Sequence, residues 1–248
     1  MPSPSPTAAR RWNLAPGDEV VRSHAHDHFL RVRARPHGRR NQARRFMSCH
    51  MEHGRRADRA LITRRTRAIM AVHTFGLPVD MTSLLEIARR HGLAVIEDVA
   101  QAIGETYDGV KCGSSGDISC FSFYVNKHVT SGEGGMILCD DDALAARCRS
   151  LRNLCFQPER RFVHEDLGWN YRMSNLQAAV GLAQVERLEE HMTRKREAGQ
   201  RYESLLHDVE GITLAPLEVP YAENVYWVFG IVLDGHVPID ADEAAGDW

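Results

Sequence analysis

The 248-residue chain sets 31 Lys and Arg against 33 Asp and Glu, a formal charge of −2, so nothing global draws it to nucleic acid or an anionic membrane. Hydrophobic residues make up 43% and charged residues 26%, which suits a packed domain and excludes collagen-like and disordered classes. No apolar run approaches the roughly 18 residues of a membrane span. The opening MPSPSPTAARRWNL lacks the apolar stretch of a secretory signal, so a soluble cytoplasmic protein is expected.

The six cysteines form no C-x-x-C pair, which removes zinc-ribbon and thioredoxin spacings and any secreted disulfide framework. Only three lysines occur, Lys111, Lys127 and Lys195, so a reaction needing a lysine nucleophile has few choices.

Residues 22–59 carry eleven Arg, six His, three acidic residues and no Lys, a local charge of +8 that leaves about −10 for the rest. Their hydrophobic spacing fits neither the strand nor the helix period, and no packed element is expected there. His24, His26, Asp27 and His28 with Cys49, His50 and His53 raise the question of zinc. The pattern is one residue short of the metallo-hydrolase H-x-H-x-D-H, and no matching shell follows, so no metal site is assigned. Eleven arginines could neutralise nucleic-acid phosphates, but without interleaved aromatics this ranks third among the functional readings.

From Ala60 the text becomes globular. Arg67–His73 reads as a buried strand, ended by Gly76 and Pro78. Ser83 with Glu86 forms a capping box for a helix to His91, stopped by Gly92. Leu93–Ile96 is the next buried strand, and strand–helix–strand at this spacing implies a parallel sheet covered by helices. Further strands fit Ile118–Tyr124 and Met136–Cys139, and a helix fits Asp142–Arg152. Ser174 and Gln177 open one long helix with Ala178, Leu182, Val185, Leu188 and Met192 on one face, and Val225–Leu233 reads as a last strand. Ligands of parallel sheets sit beyond the carboxyl ends of strands, which directs attention to Glu97-Asp98, to Gln101, and to Ser122 followed by Asn126-Lys127 and a glycine turn.

Three stretches carry a family resemblance: HTFGLPVDMTSLLEIARRHGLAVIEDVAQAIGETYDG, GDISCFSFYVNKHVTSGEGGMILCDD and LGWNYRMSNLQAAVGLAQVERL. Running from about Ala60 to Leu233, they resemble the DegT/DnrJ/EryC1/StrS sugar aminotransferases, pyridoxal phosphate (PLP) enzymes of fold type I, and most closely the perosamine synthase-like branch. The resemblance implies an α/β fold, a mixed, mostly parallel sheet between helices, with the C-terminal small domain largely missing. It implies that Lys127 is the Schiff-base lysine and proton shuttle, that Asp98 pairs with the pyridinium nitrogen, that Gln101 contacts the ring and that Ser122 binds the phosphate. It further implies that Asn170 reaches the phosphate of a neighbouring subunit, hence a homodimer with shared active sites. Relatives with histidine at the Schiff-base position are sugar dehydratases, a reading that Lys127 opposes.

The chain divides into a partial family-like N-terminus (1–21), the Arg/His-rich segment (22–59), expected to be poorly ordered, a PLP-binding core with its long helix (60–208) and the start of a truncated small domain (209–248). The family's glycine–threonine phosphate-binding block has no equivalent before Asn13–Val21. Because PGDEV and RTRAIM keep the family's separation, residues 22–59 are expected to be a shifted reading frame between two compensating indels. The expected function is transfer of an amino group, with glutamate as donor, to a nucleotide-linked keto-sugar. An inactive fragment of such an enzyme is the alternative.

Overall fold

Strands that alternate with helices after Ala60 must find parallel neighbours, because each helix carries the chain back across the sheet before the next strand starts. The computed structural model describes residues 18–24, 28–33, 62–164 and 166–233. Its strands are β1 (Glu19–His24), β2 (His28–Arg33), β3 (Thr66–Val72), β4 (Ala94–Asp98), the short β5 (Thr106–Tyr107) and β6 (Val110–Lys111), β7 (Ile118–Ser122) and β8 (Gly135–Leu138). Six form one sheet in the order β2-β1-β3-β4-β7-β8. β1, β3, β4 and β7 are parallel, while β2 and β8 run antiparallel at the two edges. The expected mixed, mostly parallel α/β sheet is therefore present.

Strands β1 and β2 correct the expectation of no packed element from residue 22 onward. Val20 and Val21 start a strand that continues to His24, and the β-branched and aromatic residues of HFLRVR pair with it in register from Glu19↔Arg33 to His24↔His28. The arginine content hid that pairing. The remainder of 22–59, including Cys49, His50 and His53, lies outside the described residues, as do residues 1–17 and 234–248. Glu19 is fully buried and joins β1 to the rest: it accepts from Thr63 Oγ1 (2.6 Å) and from the Arg65 guanidinium (3.0 and 3.2 Å).

Helix α1 (Met81–His91) covers β3 and β4, with Met81, Leu84, Ile87 and Ala88 packed on Val21, Ile69, Ala71, Leu93 and Val95. It begins two residues before the expected Ser83. Asp80 is the N-cap, accepting from Ser83 N (3.1 Å) and from Ser83 Oγ (2.5 Å), which frees Met81 to enter the core. Gly92 closes the helix in the left-handed conformation, φ 63°, as its position predicts.

Past β8 come α2 (Asp142–Arg152), capped by Asp141, then α3 (Asn175–Val185) and α4 (Leu188–Leu206). The Ser174–Gln177 capping box is present, but the single long helix is not: the chain breaks at Glu186–Arg187. Only the second half of the expected apolar face is covered. Met192 is buried and Leu188 packs beside Ile103, Phe123 and Val129, whereas Leu182 and Val185 are exposed. The last expected strand is also shorter. Only β12 (Ile231–Leu233) pairs, with β9 (Ile212–Leu214), and β10 (Glu218–Val219) pairs with β11 (Ala222–Glu223). Val225 and Trp227 instead donate to Gly76 and Phe75, binding that segment to the turn after β3. No described helix is long and apolar enough to cross a membrane.

Candidate active site

Parallel β3, β4 and β7 end at one edge of the sheet, and the expected functional residues gather there. Asp98 closes β4 opposite Cys120 of β7. Side chains two apart in a strand share a face, so Ser122 stands on the same face as Asp98 and Cys120. Burial, then the Asp98 charge, raises the Cys120 thiol pKa, which agrees with that shared face. Asp98 is anchored at its root: Oδ1 accepts from Ala100 N (3.0 Å) and its carbonyl from His73 N (3.2 Å).

Lys127 lies just beyond β7 in a turn where its N–H donates to the Tyr124 carbonyl (3.0 Å). Partial burial lowers its pKa, and the Asp98 carboxylate opposes that shift, so the two groups sense each other electrostatically. A lysine so placed keeps more neutral amine at pH 7 than an exposed one. The Lys127 ammonium rests 3.7 Å from the centroid of the Trp227 ring. Ser122 Oγ accepts a long bond from Tyr124 N (3.4 Å), which leaves its hydroxyl hydrogen to give. Gln101 is committed differently: its side-chain oxygen accepts from Phe75 N (2.6 Å), pinning the turn after β3. Phe75 has φ 60°, a conformation held by that bond and by Trp227 N donating to its carbonyl (2.9 Å).

Asn170 is apart from these four. It lies on the loop beyond α2, bridged to Asn153, where its oxygen accepts from Arg172 Nε (3.0 Å) and its surroundings are open to solvent. The chain thus assembles Asp98, Gln101, Ser122 and Lys127 at one edge and leaves Asn170 elsewhere.

Behind Asp98, on the opposite face of β4, sequence reasoning missed a buried pair. Glu97 Oε1 meets His73 Nε2 (3.0 Å) and Gly113 N (2.5 Å), and Oε2 accepts from Ser115 N (3.1 Å) and Gly116 N (3.0 Å). Val79 N donates to His73 Nδ1 (3.2 Å), which places the ring proton on Nε2, facing Glu97. Burial pushes the Glu97 carboxyl pKa up, but these hydrogen bonds outweigh it and the net shift is downward. His73, Glu97 and Cys112 bring potential ligand atoms within 4.8 Å of one another. Both imidazole nitrogens and both carboxylate oxygens are engaged, and burial raises the Cys112 thiol pKa, so the trio is a hydrogen-bonded core. The signal in the sequence was the Glu97-Asp98 pair itself. Alternation along a strand sends one carboxylate inward and the other to the site.

A primary amine, a carboxylate and a hydroxyl at one sheet edge, with an amide beside them, form a donor set that fits PLP. With PLP in place, the amine would meet its aldehyde, the carboxylate its ring nitrogen and the hydroxyl its phosphate. Comparison with known proteins agrees. Residues 56–243 match the DegT/DnrJ/EryC1/StrS aminotransferase family. The GDP-perosamine synthase of Caulobacter vibrioides is 45% identical over 188 residues, 76% of this chain and 51% of its own. A UDP-N-acetyl-3-dehydro-alpha-D-glucosamine 3-aminotransferase of Acidithiobacillus ferrooxidans is 40% identical, over 71% of this chain and 47% of its own. Among solved structures, DesV of S. venezuelae, in complex with a ketimine intermediate, superposes with a TM-score of 0.65 at 37% identity. That match covers 73% of this chain and 48% of DesV. The chain spans about half the length of the relatives it matches.

Proposed function

The chain belongs to the DegT/DnrJ/EryC1/StrS aminotransferase family, and we propose that it moves an amino group from glutamate to a nucleotide-linked keto-sugar. The observation that carries this reading is the placement of Lys127, Asp98 and Ser122 around the adjoining ends of β4 and β7. Sugar nucleotides named for two relatives, one GDP-linked and one UDP-linked, support the substrate class without selecting the nucleotide.

When bound, PLP supplies an electron sink that makes the hydrogen beside the amine-bearing carbon removable. Lys127 would hold the cofactor through Nζ and, when its amine is free, would be the base that moves that proton. Asp98, at the end of β4 and electrostatically felt by Lys127, would keep a proton on the ring nitrogen. Ser122 would donate its hydroxyl to the phosphate, and Gln101, which holds the Phe75 turn, would form one wall of the site. The donor would leave as a keto acid, and the keto-sugar would take up its amine.

The partner is a second copy of the chain, with Asn170 completing the neighbour's phosphate site. Tyr171 on its loop and Leu176 in the first turn of α3 are 71% and 82% exposed, which supports that placement. Catalysis in the cytoplasm, where sugar nucleotides are made, is part of the same proposal. The test is the donor half-reaction: chain loaded with PLP should convert glutamate to one equivalent of 2-oxoglutarate, and Lys127→Ala should abolish it. No keto acid from the loaded wild-type chain would favour the inactive-fragment alternative.

A further inference from the structure

Trp227 is fastened on three sides where it meets Lys127. Its backbone N donates to Phe75 O (2.9 Å), its carbonyl accepts from Lys195 Nζ (3.0 Å), and its indole Nε1 donates to Asn126 O (2.9 Å). Asn126 precedes Lys127, so the bond that orients the indole also ties it to the turn bearing the lysine. The ring face then lies 3.7 Å from the Lys127 ammonium, well inside cation–π range. Gly76 lets the arrangement close: a Cβ there would meet Trp227 N at 2.8 Å, so the 225–227 backbone lies directly against the turn after β3.

We propose that Trp227 is a positioning residue that clasps the Lys127 ammonium and restrains its reaction with an aldehyde until ligand binding draws the lysine off the ring. The proposal rests on Lys127 being the Schiff-base lysine for its functional meaning. A cation on an aromatic face is stabilised as the cation, whereas attack on an aldehyde needs the neutral amine. The ammonium must first give its proton to solvent. The nitrogen lone pair then forms the bond to the aldehyde carbon, and the carbonyl oxygen departs as water. The clasp therefore opposes partial burial, which favours the neutral amine, and acts with the Asp98 carboxylate on β4, which favours the cation. Among the described residues, the other charged or titratable groups at this corner are His128, next in the chain, and Lys195 and His191 of α4.

The three-lysine sequence makes the test direct. Wild-type chain, Trp227→Leu and Trp227→Phe are acetylated with trace N-hydroxysuccinimide acetate between pH 7 and 10, and each lysine is quantified by peptide mass. Loss of a cation–π contact of about 1 kcal/mol corresponds to roughly fivefold. Trp227→Leu should raise Lys127 labelling at pH 7.5 about three- to tenfold and lower its pH midpoint. Trp227→Phe, which keeps a ring face but loses the Asn126 bond, should stay within about twofold of wild type. Lys111 should not change. Equal Lys127 labelling in wild type and Trp227→Leu overturns the proposal, as does Trp227→Phe behaving like Trp227→Leu. A matching rise at Lys195 would also overturn it, because the whole 225–227 segment would then have detached. Borohydride fixation of PLP on wild-type chain is a separate readout. Fixation at Lys111 or Lys195 would sink the functional reading and leave the labelling result standing.

Discussion

Replacing Glu97 with Gln tests how the edge of β4 is held. The carboxylate accepts four hydrogen bonds, two at each oxygen, and is fully buried. Gln offers one oxygen and one NH2, so whichever way the amide turns, two donors face an N–H instead of an acceptor. A hydrogen bond to a charged group contributes about 1.5–3 kcal/mol, and the two that survive fall to the neutral range of about 0.5–1.5 kcal/mol. Relief of the carboxylate's own burial offsets part of this, leaving an expected loss of about 3–5 kcal/mol. Urea unfolding at pH 7, followed by far-UV circular dichroism, measures it. The acid arm should change as well. The folded Glu97 pKa lies below its unfolded value, so its contribution is full above about pH 4.5 and is lost as pH falls below that. Glu97→Gln should therefore lose less stability than wild type on acidification. A loss under about 1 kcal/mol at pH 7, with an unchanged acid arm, would refute the reasoning.

Three further outcomes follow from single sites. Glu105 is buried against Arg196 (2.7 Å), and burial lifts its pKa to about 7 in spite of that partner. Its folded pKa exceeds the unfolded value, so stability is highest below about pH 4.5 and falls as pH rises to 7. Thermal melts from pH 4.5 to 7 should show wild type losing on the order of 3 kcal/mol relative to Glu105→Gln, and parallel curves would contradict this. Gly76→Ala places a Cβ 2.8 Å from Trp227 N at φ 104°, and should cost about 1–3 kcal/mol in urea unfolding while raising Lys127 acetylation. Leu84→Ala empties a fully buried position in the α1 core and should cost about 3–5 kcal/mol, with the far-UV spectrum retained.

The middle of the fold was legible because its elements are periodic and locally capped. β3, β4 and α2 lie within two residues of their sequence-predicted bounds, since short apolar runs and an αL glycine are local signals. Family spacing, together with the rule that strand ends carry ligands, singled out Asp98, Ser122 and Lys127, and the structure sets them at and just beyond the adjoining ends of β4 and β7. What could not be read depends on distant partners. Glu97 finds its donors 16 to 19 residues away in a glycine-rich loop and at His73, and Trp227 meets a lysine a hundred positions earlier. The β1–β2 hairpin was hidden because arginine and histidine occupied positions where alternation is usually counted. The break between α3 and α4 has no proline or glycine to announce it, and Leu182 and Val185 stay exposed in a chain spanning half the length of its relatives.

The central claim is that Lys127, among three lysines, is the residue that binds PLP. Chain incubated with a modest excess of PLP, reduced with borohydride and digested should yield one phosphopyridoxylated peptide, containing Lys127, and Asp98→Asn should weaken the PLP dependence of its formation by at least tenfold. Modification spread over Lys111 and Lys195, or none at saturating PLP, would contradict the account.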